Sequence, residues 1–184
     1  MSEEEIEQGA GRPVVVVMGV SGCGKTFVGE KLAKAIGAHF LEGDSFHPPE
    51  NIALMSSGHP LDDAHRAGWL DAIGRKLAEL AAGGESAIAA CSALKRVYRD
   101  RLRRHCPRVV FVHLAIDKET ARQRISGRKG HFMPASLVDS QFADLQPLEA
   151  DEAGITLDGT ADISLLLPTA RQFLEREPDR STKA

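Results

Sequence analysis

Lys25 and Thr26 close the stretch Gly19-Val20-Ser21-Gly22-Cys23-Gly24-Lys25-Thr26, which fits G-x-x-x-x-G-K-[ST] at every fixed position. That spacing suits a phosphate chain. Glycines let the backbone turn tightly and aim several N–H groups at one anion. A lysine after them reaches the terminal phosphates as a compact cation, and a threonine hydroxyl is a ligand for Mg²⁺. Glu42 and Asp44 follow, two residues apart beside Gly43. Such a pair can divide two tasks, one carboxylate holding hydrated Mg²⁺ and the other accepting a proton from a substrate hydroxyl. It also fits a solvated turn in which Asp44 caps a helix. Lys95 and Arg99 are spaced i, i+4, as are Arg124 and Arg128. The first pair would share a helical face and grip an acidic substrate. The second pair reaches into the glycine-flanked basic stretch 127–134. As a mobile segment this stretch would close over phosphates, exclude water and stabilise developing charge; otherwise it is a basic surface loop. Arg66, near a helix start, faces either solvent or an anion.

These residues need a frame that brings strand ends together. Pro13 to Met18 is an uninterrupted apolar run, as expected of a strand buried on both faces of a parallel sheet. Phe27, Val28, Leu32, Ala35 and Ile36 then recur at helical spacing. Strand, glycine loop and helix follow in the order the phosphate motif requires, and the helix N-terminus adds partial positive charge. Further strands are predicted at 38–41, 86–91, 109–114 and 155–158. In open α/β sheets ligands bind beyond the carboxyl ends of strands, where Glu42, Asp44 and Ser92 fall. The third strand is built of small residues, which suits the crowded centre of a sheet. Helices are predicted over roughly 50–60, from 61 to Gly83, over a basic stretch after Lys95, and over 118–126, 135–142 and 162–176. Asp62 and Asp63 are good caps for the second of these. Its stripe of Trp69, Leu70, Ile73, Leu77 and Leu80 is read as core. Arg101, Arg103 and Arg104 are read as a solvated face. Pro168 either sits in the first turn of a late-starting last helix or kinks it.

The chain has 184 residues, enough for one domain burying about 70% of its unfolded surface. The predicted division is a mobile tail over 1–12, one kinase-like domain over 13–176 and a mobile tail over 177–184. A net charge of −3 argues against a nucleic-acid partner. No apolar run approaches the roughly 20 residues of a membrane span. Glu3, Glu4, Glu5 and Glu7 are wrong for a signal or transit peptide. Cys23, Cys91 and Cys106 form no CxxC pair or metal cluster, so a cytoplasmic, reducing setting is expected.

Taken together, the motifs resemble the gluconokinases, small P-loop kinases that phosphorylate D-gluconate at its 6-hydroxyl with ATP. The resemblance rests on Gly19 to Thr26, and on Gly43-Asp44-Ser45-Phe46-His47-Pro48 with Asn51, Met55, Gly58 and Pro60-Leu61. It continues through Arg66 with Trp69-Leu70, Cys91-Ser92-Ala93-Leu94-Lys95 with Tyr98-Arg99-Asp100, Arg128 to Phe132, and Ser140-Gln141-Phe142. It covers roughly residues 14–175. It implies an α/β P-loop NTPase fold like that of the nucleoside monophosphate kinases, with a five-stranded parallel sheet, flanking helices and a mobile lid. It also implies a homodimer. The resemblance would place ATP and Mg²⁺ on the P-loop residues and Asp44 at the substrate hydroxyl. His47, Arg66, Ser92, Lys95 and Arg99 would contact gluconate, and Arg124 and Arg128 would lie on the lid side. The sequence departs from the family pattern in five places. Cys23 and Thr26 stand for serine, Glu42 for aspartate, His65 for the aspartate before Arg66, and Gly68 for the proline before Trp69.

Two rivals stay open at this level. One is another small-molecule kinase of the same fold, acting on shikimate or a nucleotide. The other is a nucleotide-binding switch without transfer chemistry. The sequence has no Asn-Lys-x-Asp guanine-reading motif, and the carboxylate at Asp44 and the lid arginines favour catalysis.

Overall fold

β1 (Val14–Met18) is the middle strand of a five-stranded, wholly parallel sheet in the order β2-β3-β1-β4-β5. The computed structural model describes residues 12–127 and 135–176. The tails expected over 1–12 and 177–184, apart from Arg12, and the stretch 128–134 with Arg128 lie outside the described residues. β2 is His39–Glu42, β3 Ala87–Ala90, β4 Val110–Ala115 and β5 Gly154–Asp158. The helices are α1 (Lys25–Ile36), α2 (Pro49–Ser56), α3 (Asp63–Ala82), α4 (Arg96–His105), α5 (Lys118–Ser126), α6 (Ala135–Asp144) and α7 (Ile163–Arg176).

Alternation along β1 explains its unbroken apolar run. Val15 and Val17 join a core with Val28 and Leu32 of α1 and Leu166 and Ala170 of α7. Val14, Val16 and Met18 join a second core on the opposite face, with Trp69, Leu70, Ile73 and Leu77 of α3 and Leu102 of α4. Asp62 caps α3 as expected, its side chain accepting from the His65 N–H at 2.8 Å. α7 runs through Pro168, which rules out a late start at that residue. Chain reversal about β1, with β2 and β3 on one side and β4 and β5 on the other, opens a crevice at its carboxyl end. The glycine loop fills that position. Among the described residues no helix is long and apolar enough to cross a membrane.

Candidate active site

The P-loop leaves β1 at Gly19, whose φ of 142° suits glycine. A side chain there would also place Cβ 2.7 Å from Cys23 Sγ and 2.8 Å from the Leu114 carbonyl oxygen. Cys23 is therefore the filler beneath the turn, and it is buried. The Gly19 N–H donates to the Ser92 carbonyl at 3.2 Å, which ties the loop to the end of β3. Lys25, the first residue of α1, folds back and donates to the Val20 carbonyl at 3.0 Å. Arg124, on α5, donates to the carbonyls of Gly22 at 3.3 Å and Gly159 at 3.0 Å. It thus joins the loop to the segment after β5. Gln141, on α6, accepts from the Ser21 N–H at 2.7 Å and donates to Ser21 Oγ at 3.0 Å.

Thr26 Oγ1 donates to Glu42 Oε2 at 2.7 Å, so the two predicted metal ligands meet. They form a set of hard oxygen donors. Among the described residues no group of three or more His, Cys, Asp or Glu could hold a metal ion. Such a sparse set suits Mg²⁺, which keeps several waters and takes phosphate oxygens, rather than an ion caged by protein alone.

Gly43 shows how tightly the next turn is built. A Cβ there would fall 2.1 Å from the Ala90 carbonyl oxygen, so only glycine lets β2 turn against β3. The Trp69 indole N–H donates to the Gly43 carbonyl at 2.7 Å. Trp69 is core, as predicted, and it also pins this turn. The His47 ring stacks on Trp69 with centroids 4.1 Å apart. Asn51 Nδ2 lies 3.3 Å from His47 Nδ1 and donates to the His65 carbonyl at 2.9 Å. Burial lowers the His47 pKa, the nearby Asp44 opposes that shift, and Arg66 adds to it. His47 is therefore neutral at pH 7, and an amide donor on Nδ1 leaves the proton on Nε2. That nitrogen lies 4.0 Å from an Asp44 oxygen, while the Asp44 side chain is 86% exposed.

Burial pushes the Cys91 thiol at the end of β3 up to about 12, and the charges of Lys25, Asp44 and Arg66 all act on it. The P-loop and the Gly43–Asp44 turn both dock on this strand end, the Gly19 N–H on the Ser92 carbonyl and Gly43 against the Ala90 carbonyl.

Arg66 is 8% exposed, with its Nε donating to the Leu61 carbonyl at 3.1 Å and its guanidinium 5.5 Å from the Tyr98 ring centroid. Its terminal nitrogens have no hydrogen-bond partner among the described residues. Lys95, in contrast, is held by Asp63 at 2.9 Å and Asp144 at 3.5 Å. The hydrogen bond to Asp63 raises the lysine pKa above its ordinary range. Tyr98 Oη donates to the same Asp63 oxygen at 2.5 Å. Asp63, Lys95 and Asp144 edge a cleft of about 600 Å³ that Leu61, Asp62 and Ser140 also line. The departures at His65 and Gly68 fall on the exposed side of α3, away from buried Arg66 and Trp69. The α3 wall therefore keeps its inward residues.

Arg99 requires a correction. Its side chain is 0% exposed and pairs with Glu152, also 0% exposed, through bonds of 2.7 Å from Nε and Nη2. Its guanidinium also donates to the carbonyls of Ala93, Leu94, Gln146 and Pro147. It ties the turn after β3, where Ala93 has a φ of 43°, to the segment before β5. A saturated, buried guanidinium has nothing left for a substrate. Lys95 is the extended N-cap of α4, with φ −93° and ψ 149°, so the two residues share no helical face. Arg101 and Arg103 are corrected as well. Arg101 makes a bidentate pair with Asp71 at 2.7 and 2.6 Å, and Arg103 bonds Asp100 at 2.7 Å and also reaches Glu152. Arg104 is exposed, as predicted.

Burial would raise the Glu152 carboxyl, but the hydrogen bonds from Arg99 and Arg103 outweigh it and bring it down to about 2. A depressed carboxyl stabilises the fold above its ordinary pKa and loses that contribution as pH falls toward 2. Arg99→Met removes the bidentate partner of buried Glu152 and leaves it only Arg103. The expected loss is about 3 kcal/mol of unfolding free energy, the low end for breaking a buried pair. Urea denaturation at pH 7 measures it, with a loss under about 1 kcal/mol counting against the pairing. Below the variant's melting range, the acceptor KM should match that of the parent.

Sequence reasoning assigned no role to Asp63, Gln141 or Glu152. Asp63 was visible only as a cap, and Gln141 only as part of a motif. Glu152 lies 53 residues from its partner, beyond any periodic signal.

A family model described as an AAA domain matches residues 14–148. The gluconokinase of Gluconobacter oxydans (strain 621H) is 46% identical over 177 residues, covering 96% of this chain and 99% of that protein. A sugar kinase from Janibacter sp. HTCC2649 superposes with a TM-score of 0.85 at 48% identity, covering 89% of this chain and 95% of the other. A gluconokinase from Sinorhizobium meliloti 1021 gives 0.82 at 42%, covering 91% and 94%. A P-loop at the centre of a parallel sheet, a Gly-Asp turn pinned beside it and similarity along nearly the whole length lead to one assignment: the chain belongs to the gluconokinase family.

Proposed function

We infer that the protein transfers the γ-phosphoryl group of ATP to the 6-hydroxyl of D-gluconate, yielding 6-phospho-D-gluconate. The observation that carries this reading is the docking of both the P-loop and the Gly43–Asp44 turn on the end of β3, the Gly19 N–H bonding the Ser92 carbonyl and Gly43 lying against the Ala90 carbonyl. One cation serves the phosphates, one carboxylate serves the acceptor hydroxyl, and one guanidinium serves the acceptor carboxylate. In this scheme Gly19 to Thr26 cradle the β- and γ-phosphates, and Arg124 steadies the loop at Gly22. Arg128 is assigned to the same phosphates from the stretch that follows α5. Thr26 and Glu42 hold Mg²⁺, which supplies neutralising charge to the phosphate oxygens when bound with ATP.

The acceptor enters beside Trp69 and His47. Arg66 takes its carboxylate through the terminal guanidinium nitrogens, which have no partner among the described residues. Lys95, already neutralised by two aspartates, serves with Asp63, Tyr98 and Ser92 as a contact for hydroxyl groups. His47, neutral and carrying its proton on Nε2, faces Asp44 and keeps that carboxylate aimed. Asp44 accepts the proton of the 6-hydroxyl as the new P–O bond forms. Catalysis is then positioning plus electrostatic stabilisation. The resemblance and three buried free cysteines support a cytoplasmic enzyme, and the resemblance alone supports a homodimer.

ADP release with Mg-ATP across D-gluconate, other aldonates, shikimate and nucleoside monophosphates tests the reading. Strong turnover with gluconate alone is expected. Turnover with another acceptor would move specificity to the Arg66 wall, and ATP binding without any turnover would revive the switch. Arg66→Met should raise the gluconate KM about 10- to 100-fold, the scale of a lost charge-assisted pair, while the ATP KM stays within twofold or so. Equal changes in both constants would remove Arg66 from the acceptor carboxylate.

A further inference from the structure

Gln141 takes no part in the transfer chemistry above, yet it makes a two-point contact with the P-loop. Its Oε1 accepts from the Ser21 N–H at 2.7 Å, and its Nε2 donates to Ser21 Oγ at 3.0 Å. The backbone donors of the loop divide into two sets. The N–H of Gly19 goes to Ser92, that of Cys23 to Val20, and that of Ser21 to Gln141. Among the described residues, the N–H groups of Val20, Gly22, Gly24, Lys25 and Thr26 have no protein partner. The first set fixes the shape of the loop, and the second remains for an anion.

We propose that Gln141 is a positioning residue of the nucleotide site, holding the apex of the P-loop in its phosphate-binding shape. A loop with glycines at 19, 22 and 24, all at positive φ, has little conformational restraint of its own. Its restraint must come from contacts. Arg124 fixes Gly22 from α5, and Gln141 fixes Ser21 from α6, 120 residues along the chain. The carboxamide is suited to the task because it offers an acceptor to the N–H and a donor to the hydroxyl at once. Gln141 is carried on a helix whose Leu137 and Val138 are buried, so the clamp is anchored in the core. A loop held ready in this way binds phosphate without a further ordering cost.

The inference rests on the nucleotide reading of the P-loop, but not on the identity of the acceptor. Calorimetric binding of ADP to the full chain therefore tests it. Gln141→Leu should weaken ADP about tenfold, the size of one to two net hydrogen bonds. The gluconate KM and the melting temperature should stay close to the parent's. Ser21→Ala removes only the hydroxyl leg, so it should weaken ADP by a smaller factor and add nothing in the Gln141→Leu background. Unchanged or tighter ADP binding in Gln141→Leu would overturn the proposal, the tighter case marking Gln141 as a plug. A parallel rise in gluconate KM, or additive effects of the two substitutions, would also overturn it. Failure of the parent chain to bind ADP would overturn the nucleotide reading beneath it, and the clamp with it.

Discussion

Lys25→Met should lower kcat by about 10³-fold or more, with ADP binding weakened far less. Removing one preorganised donor to a developing charge typically costs about 10²–10³ in rate, and a full cation at the transferring group exceeds a neutral donor. Methionine keeps the length of the stem and the helix start, so the loss isolates the charge. The resting geometry supports the separation of rate from binding. Lys25 Nζ rests on the Val20 carbonyl at 3.0 Å and lies 4.0 Å from Cys23 Sγ. The loop's shape depends on its glycines, Ser92, Arg124 and Gln141, so the remaining N–H groups still meet the phosphates in the variant. Steady-state ADP release with saturating gluconate, paired with direct ADP binding, measures both quantities. A rate within tenfold or so of the parent's would remove Lys25 from transition-state stabilisation.

The parts of the site that were legible in the sequence are those in which local geometry decides. Gly19 to Thr26 needs only a strand before it and a helix after it, and both signals lie within twenty residues or so. Thr26 and one carboxylate of the Glu42–Asp44 pair were each assigned to Mg²⁺, the carboxylates because a parallel sheet turns its strand ends toward the P-loop mouth, and Thr26 and Glu42 meet at 2.7 Å. The reading of α4 went wrong for a physical reason. The i, i+4 rule places two residues on one face only if both are helical, whereas Lys95 is an extended N-cap. The rule also does not say which face is buried. The buried side of α4 carries Tyr98, Arg99 and Leu102, so an arginine enters the core there. What makes that tolerable is Glu152, supplied from just before β5. No pattern within α4 announces it. The capture of Lys95 by Asp63 and Asp144 is long-range in the same way. Trp69 was correctly predicted as core, but its second task, the bond to Gly43, depends on how close β2 and β3 approach.

Asp44→Asn is the other large effect, an expected fall in kcat of about 10²–10⁴-fold with ADP binding unchanged. In the proposed role as a base, so exposed a carboxylate depends on its surroundings for its aim. Its backbone is held on several sides. Gly43 is wedged against the Ala90 carbonyl and bonded to Trp69, and the Glu42 side chain sits 3.5 Å from the Asp44 N–H. His47, stacked on Trp69, stands beside the carboxylate. Little of the side chain touches protein, which leaves it open to an acceptor hydroxyl in the proposed scheme. Asparagine preserves shape and can still accept a hydrogen bond, but it cannot take a proton. Alanine removes both functions. Comparing the two divides the role of Asp44. If both variants fall equally, proton acceptance dominates. If Asp44→Asn stays within tenfold or so of the parent and Asp44→Ala does not, Asp44 orients the hydroxyl and the proton leaves by another route. In a loose transition state the hydroxyl proton departs late, so the drop should be larger for acceptors with less acidic hydroxyls. A drop independent of acceptor acidity would mean that positioning, rather than proton transfer, is what the wedged turn at Gly43 was built to provide.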